Sequence, residues 1–219
     1  MKLEMHAHTN EVSFCAHISA KDTVNLYKDS GYDGIVITNH YSRYFIDMMH
    51  DRSFDHLMDF YLNGFKLAQE EGDKIGLSVF LGLELCFDSS LPTDFLVYGL
   101  DEEFLRTHKF LNRMDLDSFL KILPDDALIY QAHPFRNSMH IIPPGKLFGI
   151  EVHNGNPRHD SRNDIAHAWA DKFNMHKISG SDFHQTEDVG RGGLILNRTA
   201  VNNKELIDIL RSDDYTLIE

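Results

Sequence analysis

Short apolar runs alternate with stretches of helical period along the whole chain. Residues 2–8 (KLEMHAH) read as a first strand. Residues 20–29 have the spacing of an amphipathic helix, with Ser19 placed to cap it and Gly31 to close it. Residues 34–40 (GIVITNH) form a β-branched run of the kind buried in a parallel sheet. A long helical segment, 53–71, ends at Gly72, and the runs 77–85 (LSVFLGLEL) and 95–100 (FLVYGL) give strands three and four. Two short helices near 101–110 and 115–122 precede a fifth strand at 127–133 (ALIYQAH). Strand six covers 149–153 and is followed by a helix near 160–173. Strand seven covers 176–182, and a last helix covers 203–212.

Alternating strands and helices imply a parallel sheet with both faces covered. The chain shows no repeat, no low-complexity run and no linker, so one domain over 1–219 is expected. The polar residues favour a barrel over an open sheet. His6, His8, His40, Glu84, His133, Glu151 with His153, and Asp182 with His184 fall in or just past the C-terminal ends of six predicted strands. In a barrel those ends converge on one face, where residues distant in sequence surround one point. The expected fold is α/β, an irregular (β/α)7 TIM-like barrel.

Composition narrows the class. Lys and Arg total 21 against 34 Asp and Glu, a net charge of −13, which argues against nucleic acid as a partner. Two cysteines exclude a disulfide scaffold and fit a reducing compartment. No apolar stretch approaches the roughly 20 residues of a membrane span, and the N-terminus lacks a signal pattern. A cytoplasmic protein without a membrane partner is expected, and nothing in the sequence bears on oligomeric state.

The chemistry lies in the 14 histidines and their placement. His6 and His8 sit at i and i+2 of one strand and face the same way. His40 ends an apolar strand. Glu84 interrupts another, where an ionised carboxylate is costly unless paired or metal-bound. His133 precedes Pro134 at a strand end, and Asp182 and His184 again offer an i, i+2 pair. Imidazole and carboxylate without thiolate suit Zn, Mn or Fe, and the donors outnumber the needs of one tetrahedral ion. Two or three divalent ions with a bridging carboxylate are expected.

H-x-H-T at 6–9, T-N-H at 38–40, G-L-E at 82–84, A-H-P at 132–134 and G-S-D-x-H at 180–184 resemble the ordered motifs of the PHP (polymerase and histidinol phosphatase) superfamily, over residues 6–193. The resemblance implies a barrel holding up to three divalent ions, most often used to hydrolyse phosphoesters. It makes His6, His8, Glu84, His133, Asp182 and His184 ligands, with His40 completing the third ion's shell and Glu84 bridging. His17 is expected to reach the cluster across a bulged loop; Cys15 is nearer the family's ligand position but reads as a small buried side chain. Asp94 stands where the family often carries a ligating His, with a loop or capping role as its alternative.

The expected reaction is attack by a metal-activated hydroxide on a small phosphate ester, with Glu84, Asp182 and His153 as catalytic residues. His153 is read as a general acid or a neighbour of the site, and Glu151 as an orienter of a ligating histidine. Arg136 and Arg191 are candidate phosphate partners, with Arg43 a third. The histidines at 50, 56, 108, 140, 159, 167 and 176 read as structural or exposed. Loops near 41–55, 86–94, 136–147 and 155–160 would build the pocket, and Tyr41, Tyr44, Phe45, Phe87 and Phe135 on them suit an aromatic or heterocyclic leaving group, with histidinol phosphate, a nucleotide and a tyrosine phosphate all open. Amidohydrolase-type C–N cleavage, a proofreading exonuclease and a non-catalytic metal module are the rival readings; the exonuclease lacks a basic stripe.

Overall fold

Strand β1 (Lys2–Ala7) opens a computed structural model that describes residues 1–48 and 52–219, so His50 lies outside the described residues. Helix α1 (Ala20–Asp29) follows, then β2 (Gly34–Ile37), β3 (His40–Tyr41), α2 (Arg43–Met48), α3 (Phe54–Ile75) and β4 (Ser78–Cys86). The middle of the chain holds β5 (Asp94–Tyr98), α4 (Glu102–Thr107), α5 (Leu116–Ile122), β6 (Leu128–Gln131) and β7 (Gly149–Asn154). Helix α6 (Asn163–Phe173), β8 (His176–Gly180), β9 (Gly193–Leu196), α7 (Asn203–Arg211) and β10 (Tyr215–Ile218) complete it.

The strands join in the order β10-β9-β1-β2-β4-β5-β6-β7-β8, with β3 also on β4. Backbone bonds from Phe183 N to His6 O and from His8 N to Phe183 O, both 3.0 Å, bring the segment after β8, at one end of the path, back beside β1. The result is the expected barrel, nearly closed, in a mixed α/β chain.

Its sheet departs from a simple parallel repeat. β5 runs antiparallel to both β4 and β6. The link from β4 to β5, residues 87–93, carries no helix, and a parallel return needs a crossover of about a dozen residues. Two further strands, β9 and β10, are antiparallel additions that the apolar pattern does not predict. The run at 34–40 is broken after Ile37, because Thr38 and Asn39 turn their side chains to β1 and the loop after it. Thr38 Oγ1 accepts from Ala7 N at 3.0 Å, and Asn39 Oδ1 from Thr9 N at 2.8 Å. Helix α3 passes Gly72 and closes at Gly76, whose φ of 70° takes the left-handed cap.

The barrel floor is apolar. Leu3, Met5, Val36, Phe80, Leu96, Tyr130 and Ile178 pack on Leu206, Ile209 and Leu210 of α7, which plugs that end. Outside, α1 and α3 cover β1 and β2 through Val24, Tyr27, Ile35, Ile37 and Ala68. The polar residues occupy the opposite end.

Candidate metal centre

Strict alternation would send Leu3 and Met5 to one face of β1 and His6 and His8 to the other. The ladder with β2 shifts register between Glu4 and Ala7, so three steps on β1 oppose two on β2. Such a bulge reverses the alternation. Leu3 and Met5 reach the floor, and past the bulge His6 and His8 also face inward, toward Glu84. Glu4 accepts from the Met5 and His6 amides at 3.0 and 2.8 Å. Glu84 stands four residues beyond the floor residue Phe80 on the same face of β4. His133 and Asp182 have φ of 28° and 49°, strained values that turn each into the site at its strand end.

One carboxylate sits at the middle of the cluster. Glu84 Oε2 lies 2.8 Å from His40 Nδ1, 3.4 Å from His8 Nε2 and 3.5 Å from His6 Nε2, while Oε1 lies 3.1 Å from His133 Nε2. Asp182 Oδ1 is 3.4 Å from His6 Nε2 and 3.5 Å from His8 Nε2. Among the described residues, three overlapping groups have ligand atoms within 4.8 Å of one another: His6, His8 and Asp182; His6, Glu84 and His133; His8, His40 and His184. His6 Nε2, His8 Nε2 and Glu84 Oε2 are buried without a hydrogen-bond partner. Buried polar atoms are rarely left so. Orphaned donors of this kind, nitrogen and oxygen only, fit divalent cations.

Glu151 holds the cluster from behind. Its Oε1 meets His6 Nδ1 at 2.9 Å, which leaves Nε2 to face the centre, and its Oε2 accepts from His133 N at 2.8 Å. Burial opposes charge on Glu84 and Asp182. The His40 and His6 imidazoles outweigh it at Glu84, and His6 at Asp182, so both lie well below the carboxylate range. Burial and the neighbouring His40 and His184 push His8 well below the usual imidazole value, leaving a neutral ring with a free lone pair.

A cavity of about 400 Å³ opens onto the cluster, lined by residues including Arg136, Arg158, His159, Asp182 and His184. The Arg136 guanidinium is 3.9 Å from Asp182 Oδ2 and 4.0 Å from Asp94 Oδ2. Asp94 lies 4.0 Å from His133 Nε2, outside the three groups. It reaches this end only because β5 is reversed, which brings the start of that strand to the rim.

Other expectations give way. His17 is exposed at the cavity edge, joined to the site by a backbone bond from its N to His184 O at 2.8 Å, and its imidazole enters none of the groups. Cys15 is the residue beside His184 and His40 instead. Partial burial opposes its thiolate, but hydrogen bonds with those imidazoles bring it down to about 6. A second register shift, between Glu151 and His153, takes His153 off the inner face. Its Nε2 bonds the Arg191 carbonyl at 2.9 Å and its Nδ1 meets Asn163 at 3.3 Å, and it is not among the residues that line this cavity. The Arg191 side chain donates to Glu187 O on its own loop, and Arg43 pairs with Asp47 and Asp88. Neither lines the cavity.

Arg158 and His159 take those places, although nothing in their local pattern marks them. Arg158 is fixed by two 2.7 Å bonds to the buried Asp188. Of the loop aromatics, Tyr41 and Phe45 are core, Phe87 packs on Phe95 and Phe119, and Phe135 packs on Trp169; Tyr44 alone of the five is largely exposed.

The model of the PHP-associated family matches residues 160–215, a segment that includes Asp182 and His184. Solved structures extend the likeness to the whole chain. A two-domain protein from Bacteroides vulgatus, described as containing a predicted PHP-like metal-dependent phosphoesterase, superposes with a TM-score of 0.71 at 18% identity over 99% of this chain. The likeness is one of fold. The chain spans 64% of the Bacteroides protein's length. A proposed metal-dependent phosphoesterase from Bifidobacterium adolescentis matches at TM-score 0.56 and 15% identity, covering 95% of each chain. An amidohydrolase from Chromobacterium violaceum, with bound sulfate and no metal, matches at 0.58 and 12%, covering 100% of this chain and 99% of its own. No curated protein matches the sequence.

Proposed function

We propose that this chain is a PHP-like, metal-dependent hydrolase acting on a small phosphate ester. The observation that carries the reading is Glu84, buried with both carboxylate oxygens facing imidazoles from β1, β3 and the end of β6, beneath a cavity that holds the Arg136 cation. Two or three divalent ions (Zn, Mn or Fe), when bound, would acidify water and offset charge on the phosphoryl oxygens. His6, His8, His40, Glu84, His133, Asp182 and His184 would hold them, each imidazole giving its one free ring nitrogen to a single ion.

The chain's own residues do the rest. Arg136 would bind the phosphoryl oxygens, oriented by the carboxylates of Asp182 and Asp94 on either side. Glu151 fixes the His6 ring. Burial and the Arg136 charge hold His159 below the usual imidazole value, so at neutral pH it accepts protons rather than donating them. The departing alcohol would therefore take its proton from solvent. A net charge of −13 disfavours nucleic acid as substrate. The free thiol of Cys15 suits a reducing compartment, the cytoplasm. No described helix is long and apolar enough to cross a membrane.

The test joins metal analysis to hydrolysis of an aryl phosphate, in wild type and Asp182→Asn. Asparagine tolerates the left-handed backbone of that position, so the variant removes charge and spares the turn. Two or three ions per chain in wild type, with at least one lost and activity down roughly a hundredfold or more in the variant, is the expected outcome. A full metal complement with turnover of amides and of no phosphate ester would replace this reading with C–N hydrolysis.

A further inference from the structure

Beside the cavity lies a second recess of about 280 Å³, lined by Val12, Ser13, Phe14, Cys15, His40, Ser42, Tyr44 and Phe45. The two share Cys15 and His40 in their linings, so they adjoin beside the metal cluster. Their chemistry differs. The cavity carries Arg136, Arg158 and His159, whereas the lining of the recess holds no Asp, Glu, Lys or Arg. Phe14 and Tyr44 are 40% and 63% exposed, and their rings meet edge to face at 5.7 Å and 82°. Helix α2 buries Phe45 and Ile46 and leaves Tyr44 out. Two large aromatic rings held open to water beside a reactive centre form a binding wall in want of an apolar partner.

The cations come from loops after β6 and β7, and the aromatic wall comes from the loop after β1 and from α2, which follows β3. In the strand order these groups stand on separate arcs of the rim. A phosphoryl group on Arg136 with its ester oxygen toward His40 would extend its alcohol into the recess. We infer that the recess is the leaving-group subsite and that it selects phosphate monoesters of aryl or arylmethyl alcohols. A sugar would meet no carboxylate, lysine or arginine there to take its hydroxyls. The inference rests on the phosphoester reading and adds to it the class of alcohol.

Benzyl phosphate and ethyl phosphate test it, because both are esters of primary alcohols and differ chiefly in the ring. The metal-loaded wild type should favour benzyl phosphate by roughly tenfold or more in kcat/KM, the worth of one aromatic contact plus burial of the ring. The Phe14→Ala/Tyr44→Ala double variant should bring the ratio toward one. Both positions are exposed, and an unchanged thermal melt would show the fold intact. A wild-type ratio near one, or a preference that survives in the double variant, overturns the inference and leaves the phosphoester reading standing. Failure to hydrolyse either ester overturns the phosphoester reading instead. The recess is then judged by calorimetric binding of benzylphosphonate against ethylphosphonate. Tighter binding of the benzyl compound, lost in the double variant, supports it; equal binding overturns it.

Discussion

Glu4 is a fully buried carboxylate whose side chain reaches the cluster through the backbone amide of His6. Its Oε1 accepts from the amides of Met5, His6 and Ser181, and its Oε2 from the hydroxyls of Tyr27 and Ser181. It thereby ties the β1 bulge to the loop that carries Asp182. Burial pushes its pKa up to about 6 from the usual 4.5, against the opposing effect of hydrogen bonds from Ser181, His6 and Tyr27. The folded state thus binds the proton more tightly than the unfolded chain. The contribution of Glu4 to stability is full below pH 4.5 and is lost as pH rises through about 6. A displacement of that size is worth about 2 kcal/mol. In Glu4→Gln the amide can still accept the three backbone bonds, while the two hydroxyls turn to accept from its NH2. Urea unfolding at pH 4.5 and pH 7.5 should show wild type losing about 2 kcal/mol relative to the variant between the two. A constant difference would show that Glu4 titrates as an ordinary carboxylate. In sequence, Glu4 is one polar residue in a strand, and only the bulge explains why it is there.

At the scale of elements, α3 sets the position of the T-N-H turn. A Cβ on Gly64 would stand 2.5 Å from Thr9 Oγ1 and 2.8 Å from Asn39 Nδ2. Those atoms belong to a buried set in which Asn39 Oδ1 accepts from Thr9 N and Ser13 Oγ, so they have little room to yield. Gly64→Ala should therefore cost about 1–3 kcal/mol in spite of alanine's better helix propensity, as overpacking does. The check is a thermal melt; an unchanged or raised midpoint would mean that α3 can retreat. The same scale shows what could be read from sequence. The helices with Ser caps at 19 and 53 and the strands bearing His6, Glu84 and His133 were legible, because caps and apolar runs are local signals. The two register shifts were not. An extra residue in a ladder is settled by pairing with another strand, and one such shift turns His6 and His8 inward while the other turns His153 away. Asp94 is marked in sequence only by the resemblance, as the residue where the family often carries a ligating His, and it stands at the rim through the reversal of β5, which follows from a short link. Arg158 and His159 sit in an irregular loop whose path depends on the Asp188 anchor, some 30 residues on.

For the molecule as a whole, the apolar floor and the polar end of one barrel make opposite contributions. The floor closes on α7 with leucines and isoleucines, while the other end buries Glu84, Asp182 and Glu151 among histidines within a chain of net charge −13. Imidazole pairing compensates part of that charge, but His6 Nε2, His8 Nε2 and Glu84 Oε2 stay unpartnered. Divalent cations would satisfy those atoms only in the folded state, because the candidate ligands come from five strands or strand ends and do not meet in the unfolded chain. Binding then adds to stability by mass action, about 2.7 kcal/mol when free metal stands at a hundred times its dissociation constant. For a domain of this length, that corresponds to roughly 5–11 °C in melting temperature. Treatment with a chelator should lower Tm by that amount, and Mn²⁺ or Zn²⁺ should restore it. Asp182→Asn, which removes one ligand from the His6–His8 group, should respond less than wild type. A Tm indifferent to chelator and to added metal, in protein shown by elemental analysis to have lost and regained its ions, would separate the cluster from the fold's stability.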